Sequence, residues 1–155
     1  MQSEISAGMS MLALASVGDI PPRPHARVDV EAPLWKVVDE MKAKGRGAVL
    51  VEEAGVLVGI FTERDLLNRV DHGDTLWSHV LVREVMTPHP TVIRRDDSLA
   101  EAMRRLTQGR RRHLPIVEDH GKVLGLISIR DILAYIASRF PEEMMNLPPD
   151  PNHES

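Results

Sequence analysis

The heptapeptide GIFTERD at 59–65 returns as GLISIRD at 125–131, 66 residues later. Internal duplication constrains a small fold more than composition does, because both copies must form the same supersecondary unit and bury matching faces. At that shift, residues 54–70 and 120–136 share five identities in seventeen pairs: Gly55/Gly121, Gly59/Gly125, Arg64/Arg130, Asp65/Asp131 and Leu67/Leu133. Seven further pairs keep their type, Thr62/Ser128 among them. Upstream the shift is 65, and Leu34, Val37, Val38 and Met41 fall opposite Leu99, Ala102, Met103 and Leu106. Both sets lie at i, i+3, i+4, i+7, one stripe of an amphipathic helix. Ser98 and Glu101 add a capping-box pattern at the start of the second helix. VGDIPPRP at 17–24 falls opposite VREVMTPH at 82–89, so the duplication covers about residues 17–136.

Each copy reads in the same order. A proline-containing lead-in precedes a short β-branched stretch (27–30; 91–94), then the amphipathic helix and a buried strand (48–51; 114–117). A turn (52–55; 118–121), a second strand (56–61; 122–127) and a helix beginning at Thr62 or Ser128 complete it. The expected fold is α+β, two tandem β-α-β-β-α repeats whose thin sheets need each other to bury their faces. The expected organisation is an N-terminal helical segment over 1–16, repeats over 17–70 and 82–138, a linker over 71–81, and a polar tail over 139–155. The segment ISAGMSMLALASVGD follows Glu4 and no basic residue precedes Arg23, so it lacks the basic start of a secretory signal and reads as a helix packed on the domain.

At 155 residues there is enough chain for one compact unit or two halves sharing a core. The 43% apolar content excludes a wholly disordered chain, and a net charge of −4 supplies no global basic field for nucleic acid or membrane. With no cysteine there are no disulfides, thiolate zinc sites or cysteine nucleophiles, which fits a reducing cytoplasm. No apolar run is long enough to span a bilayer.

Thr62 with Asp65, and Ser128 with Asp131, have the spacing of helix caps: a hydroxyl at the N-cap and an acid three residues on satisfy orphan amides. Two features point further. A glycine precedes each hydroxyl by three positions and leaves the strand end bare for close approach. Arg64 and Arg130 add a cation where a helix start already favours anions. Carboxylate, hydroxyl, guanidinium and free amides together suit a ribose phosphate. The basic stretch GRRRHLP at 109–115 is ordinarily a solvated loop, but it runs directly into the buried strand.

Two ordered β-α-β-β-α units, each with a VREVMTPHPTV-like lead-in and a G-h-h-[ST]-x-R-D close, resemble a CBS-domain pair, the cystathionine β-synthase or Bateman module. The tail RFPEEMMNLPPDP is similar to those of stand-alone bacterial members. The first copy departs from the pattern, with Pro21 and Pro22 where the second has Met86 and Thr87. The resemblance implies adenosine nucleotides (AMP, ADP or ATP, with S-adenosylmethionine or NAD(H) as further candidates) bound in clefts between the repeats. It places Thr62 and Asp65 in a cleft with Thr91, Val92, Leu114, Pro115 and Ile116. Ser128, Arg130 and Asp131 would face Arg27, Val28, Ala48 and Val49. Arg112 and His113 match phosphate-holding positions, whereas the first copy offers Arg46 and Gly47. It also implies a homodimer through the helices after each motif (Leu66, Leu67, Val70; Ile132, Leu133, Tyr135, Ile136), and an effector protein downstream.

Catalysis has little support. The seven histidines show no metal-ligand spacing, and neither a nucleophile elbow nor a phosphate-binding glycine loop appears. The expectation is a regulatory module that is not an enzyme and senses metabolite or energy state. The alternative is a nucleic-acid-binding regulator using the basic residues of 104–112. Aromatic content of 3% is sparse for base stacking and weighs against it.

Overall fold

The structure, a computed structural model, describes residues 2–139, so the tail expected from 139 onward lies outside the described residues save Arg139. Helix α1 (Gln2–Leu14) comes first and packs on the second repeat, as its mixed apolar character suggests. Strand β1 (Arg27–Asp29), helix α2 (Leu34–Lys44), strands β2 (Ala48–Glu53) and β3 (Val56–Thr62), and helix α3 (Glu63–Asn68) make the first copy. After the linker come a short helix α4 (Val82–Val85) and strand β4 (Thr87–Pro88). Strand β5 (Ile93–Arg94), helix α5 (Leu99–Gln108), strands β6 (His113–Val117) and β7 (Val123–Ser128), and helix α6 (Ile129–Arg139) follow. The fold is α+β, two small sheets with helices, as expected.

The stripes behave as their spacing predicts. Leu34, Val37 and Met41 of α2 are buried, and so are Leu99, Ala102 and Leu106 of α5. Gly45, at φ 58°, ends α2 in the left-handed conformation that costs glycine least. Ser98 caps α5 by accepting the Glu101 N–H at 3.1 Å. Only half of that predicted capping box forms, because the Glu101 carboxylate turns to Arg104 and Arg105 instead.

The lead-ins exchange. In the first sheet, ordered β1-β2-β3-β4, the outer strand β4 comes from the lead-in of the second copy. In the second sheet, β5-β6-β7, Arg23 from the first copy's lead-in bridges Leu126 of β7 in the matching place. The cores follow suit. Val82 completes the first, beside Leu34 and Phe61, whereas Val17 and Ile20 complete the second, beside Leu99 and Ile127. Equivalent backbone bonds tie each exchange: Val17 N–H to Asp97 and Leu99 N–H to Ala15, then Val82 N–H to Ala32 and Leu34 N–H to Val80, all at 2.9 Å. Between the halves a smaller cluster of Leu50, Val117 and Val123 is flanked by Leu57, Ile60 and Leu126.

The apolar face on the last helices is smaller than the sequence suggests. Val70 and Ile132 are buried, and Leu66, Tyr135 and Ile136 pack against the cores. The outward pair is Leu67 and Leu133, equivalent residues that are 75% and 54% exposed.

Candidate functional site

Both repeated motifs start a helix, and both capping boxes close. Thr62 Oγ1 accepts the Asp65 N–H at 3.2 Å, while Asp65 Oδ2 accepts the Thr62 N–H at 3.0 Å. In the second copy Ser128 Oγ accepts the Asp131 N–H at 3.2 Å and Asp131 Oδ2 accepts the Ser128 N–H at 2.8 Å. Each hydroxyl also donates to the same Oδ2, at 3.1 and 3.0 Å. One carboxylate oxygen is therefore committed to the cap, and the other faces a guanidinium.

That second oxygen meets different partners. Asp65 Oδ1 lies 3.4 Å from Nε of Arg69, one turn along the same helix, and Arg69 Nη1 also donates to the Met86 carbonyl at 3.3 Å. Asp131 Oδ1 accepts from Nε of Arg23, more than a hundred residues earlier in the chain. The carboxylates are largely covered (12% and 11% exposed) and the guanidiniums half exposed (49% and 47%).

His113 stands directly across from Ser128 in the β6–β7 ladder, and Ala48 directly across from Thr62 in β2–β3. Burial pushes the His113 pKa below its usual value. Arg23, Arg46 and Arg112 push it the same way and Asp131 opposes them, so all four act on its ring. The second motif thus gathers Ser128, Asp131 and His113 with Arg23 from the other copy.

The glycines have another use than the one their position suggested. A Cβ on Gly59 would lie 2.4 Å from Met86 Sδ and 3.1 Å from the Thr87 carbonyl oxygen. On Gly125 it would lie 2.5 Å from Pro22 Cβ and 2.7 Å from the Arg23 carbonyl oxygen. The bare strand edges are filled by the exchanged lead-ins, not left open for a ligand.

The CBS domain model matches residues 17–72 and again 82–138. The chain belongs to the CBS-domain family. An uncharacterised protein of Methanopyrus kandleri is 30% identical over 133 residues, 83% of this chain and 68% of that protein. An Arabidopsis thaliana CBS domain-containing protein is 37% identical over 100 residues, 64% of this chain but 18% of its own length. A Thermofilum pendens protein is likewise covered over only 37% of its length. Among solved structures, the CBS-domain containing protein of Agrobacterium tumefaciens matches with a TM-score of 0.66 at 30% identity, over 78% of this chain and 98% of that one. CBSX2, solved in complex with AMP, matches with a TM-score of 0.67 at 26% identity, over 81% and 98%.

The CBS repeats bring some of the expected residues together and separate others. Val28 and Ile116 are buried in the two cores. Pro115 is buried too, opposite Leu126. Val92 joins the cluster between the halves, where its carbonyl accepts from Arg105 at 2.5 Å, and Thr91 beside it is half-buried. Val49 and Leu114 are buried as well. Arg130 and Arg112 are exposed. Arg27 lies 3.9 Å from Glu52 at the rim of a depression of about 350 Å³ between the hairpin turns, which neither Asp65 nor Asp131 lines. What the first copy does bring to Asp131 is Arg23, which the motif spacing passes over. Its one sequence signal is rigidity, since prolines stand on both sides of it in PPRP.

The nucleic-acid alternative loses part of its basic surface. Arg104 and Arg105 both bond Glu101, holding its pKa down at about 2, and Arg111 folds back toward the Arg105 carbonyl. Among the described residues no group of three or more His, Asp or Glu is placed to hold a metal, and no helix is long and apolar enough to cross a membrane.

Proposed function

We propose that the CBS pair is a regulatory module, not an enzyme, that binds an adenosine nucleotide beside each capped carboxylate. The observation that carries this reading is the shared geometry of Asp65 and Asp131. Each caps its helix with Oδ2 and keeps Oδ1 beside a cation, the pairing that ribose hydroxyls and phosphate would engage together. CBSX2, of the same fold and bound to AMP, supports the choice of ligand class.

Binding acts on function by biasing the arrangement of the two halves, which the exchanged lead-ins tie together around the small cluster of Leu50, Val117 and Val123. A ligand shifts that arrangement only if it binds one form more tightly than another. A homodimer through α3 and α6 would cover Leu67 and Leu133 and relay the change to an effector protein.

A thermal-shift series with AMP, ADP and ATP tests the reading. A ligand that binds only the folded state raises the melting temperature as its concentration rises. A flat response to all three at millimolar concentration overturns it, and light scattering at tens of micromolar protein checks the dimer.

A further inference from the structure

We infer that Arg23 is the specificity-determining residue of the second cleft, a latch that makes the site discriminate against ligands without phosphate. The inference rests on the nucleotide reading above and adds a rule to one of its two sites.

The backbone of Arg23 is fixed. Its N–H donates to the Leu126 carbonyl at 2.9 Å and its carbonyl accepts the Leu126 N–H at 3.0 Å. Pro22 and Pro24 restrict the chain on either side. Only the side chain has freedom, and it lies on the solvent side of the more deeply covered Asp131 carboxylate. A ribose diol that donates to Asp131 Oδ1 must displace that guanidinium. A neutral nucleoside offers the displaced cation nothing in return. A phosphate gives it a charge-assisted partner of comparable strength.

The first cleft has no such device. The position equivalent to Arg23 at the shift of 65 is Pro88, and Asp65 pairs instead with Arg69 on its own helix. There the guanidinium is also held by the Met86 carbonyl, so it has a second partner when a diol arrives.

Calorimetric titration with adenosine and AMP tests the latch in an Asp65→Ala background, where heat reports the second cleft. The background protein should bind AMP at least about tenfold more tightly than adenosine, the size of one charge-assisted hydrogen bond. Adding Arg23→Ala should raise adenosine affinity and lower AMP affinity, collapsing that ratio toward one. A mere loss of structure cannot strengthen adenosine binding, and thermal melts show whether the variant is folded. Arg23→Lys keeps the charge and should retain most of the preference for AMP. An unchanged ratio in Arg23→Ala, or equal weakening of both ligands, overturns the latch while leaving nucleotide binding in place. No heat from AMP or adenosine in the unmutated protein overturns both.

Discussion

Asp65 and Asp131 stand 66 residues apart in the same capping box, with the same hydroxyl type, the same backbone bonds and nearly the same cover. Their other oxygens diverge. One faces an arginine a helical turn away, the other an arginine from the far end of the chain. A duplicated sequence copies what is local, namely cap, hairpin and stripe. It does not copy the tertiary partner, and in this molecule that partner distinguishes the two capped carboxylates. The lead-in carries the distinction because it is handed across to the opposite half.

The largest effects test that exchange. Leu34→Ala and Leu99→Ala remove equivalent, fully buried side chains, and each should cost about 2–5 kcal/mol in denaturant unfolding. Val17→Ala is sharper, at roughly 2 kcal/mol on the same scale. By sequence it belongs to the first copy, but its contacts are in the second core. Hydrogen exchange should therefore accelerate in α5 and β6 before α2 and β2. Acceleration confined to the first half would break the exchanged description.

Next come the two glycines. Both lead-ins press against a glycine, but with different atoms. On Gly125 a new methyl group meets Pro22 and the Arg23 backbone, neither of which moves easily; on Gly59 it meets first the flexible end of Met86. Gly125→Ala should cost about 2–3 kcal/mol and Gly59→Ala about 1 kcal/mol, within the range for overpacking a formed core. Equal costs would mean that the two lead-ins are equally mobile.

What was legible in the sequence follows the same line. Helical stripes, capping boxes and the hairpin turn depend on residues within a few positions of one another, so Leu34 to Met41 and Thr62 to Asp65 could be placed from spacing alone. The Ala54–Gly55 turn is of this kind too, with φ of 52° and 81° at its two residues. The path of the lead-in depends on the assembled sheets. Spacing could not show that Gly59 and Gly125 face chain instead of ligand, or that Arg23 reaches Asp131. Nor could it show that Leu66, Val70 and Ile132 are consumed by the cores, because a helix of mostly apolar residues does not declare which face is already covered.

The carboxylates themselves come third. Asp65→Ala and Asp131→Ala should each lower stability by about 1 kcal/mol through loss of a capping box. Each should also weaken nucleotide at its own cleft by about 1.5–3 kcal/mol, the scale of a hydrogen bond to a charged group. Only Asp131→Ala should in addition leave the Arg23 guanidinium without its carboxylate partner, so Arg23→Ala should change stability less in that background than in the unmutated protein, a coupling that a double-mutant cycle measures. Lowered stability with unchanged affinity in both variants would leave the motifs as helix caps alone.

The smallest effect is a pH dependence that separates the clefts. His113 faces Arg23, Asp131, Arg46 and Arg112, and its folded pKa lies below the usual 6.5, first through burial and then through Arg23. The unfolded chain therefore binds this proton more readily than the folded one. Stability from His113 is fully present above the unfolded pKa and is lost as pH falls through 6.5 toward the folded value. The first cleft has Ala48 in the corresponding place and contributes nothing of the kind. His25 also carries a lowered pKa, mainly from burial, so the full protein reports both rings. The subtraction uses His113→Gln: its unfolding free energy, measured from pH 7.5 down to 5.5, should fall less steeply than that of the unmutated protein. Nucleotide should change the profile through the second cleft alone. A phosphate beside His113 raises its pKa, so binding there takes up a proton near neutral pH, and the heat of AMP binding should vary with the ionisation enthalpy of the buffer. That variation should shrink in His113→Gln and persist in Asp65→Ala. If it is unchanged in His113→Gln, the proton belongs to another group, the titrating phosphate of AMP included.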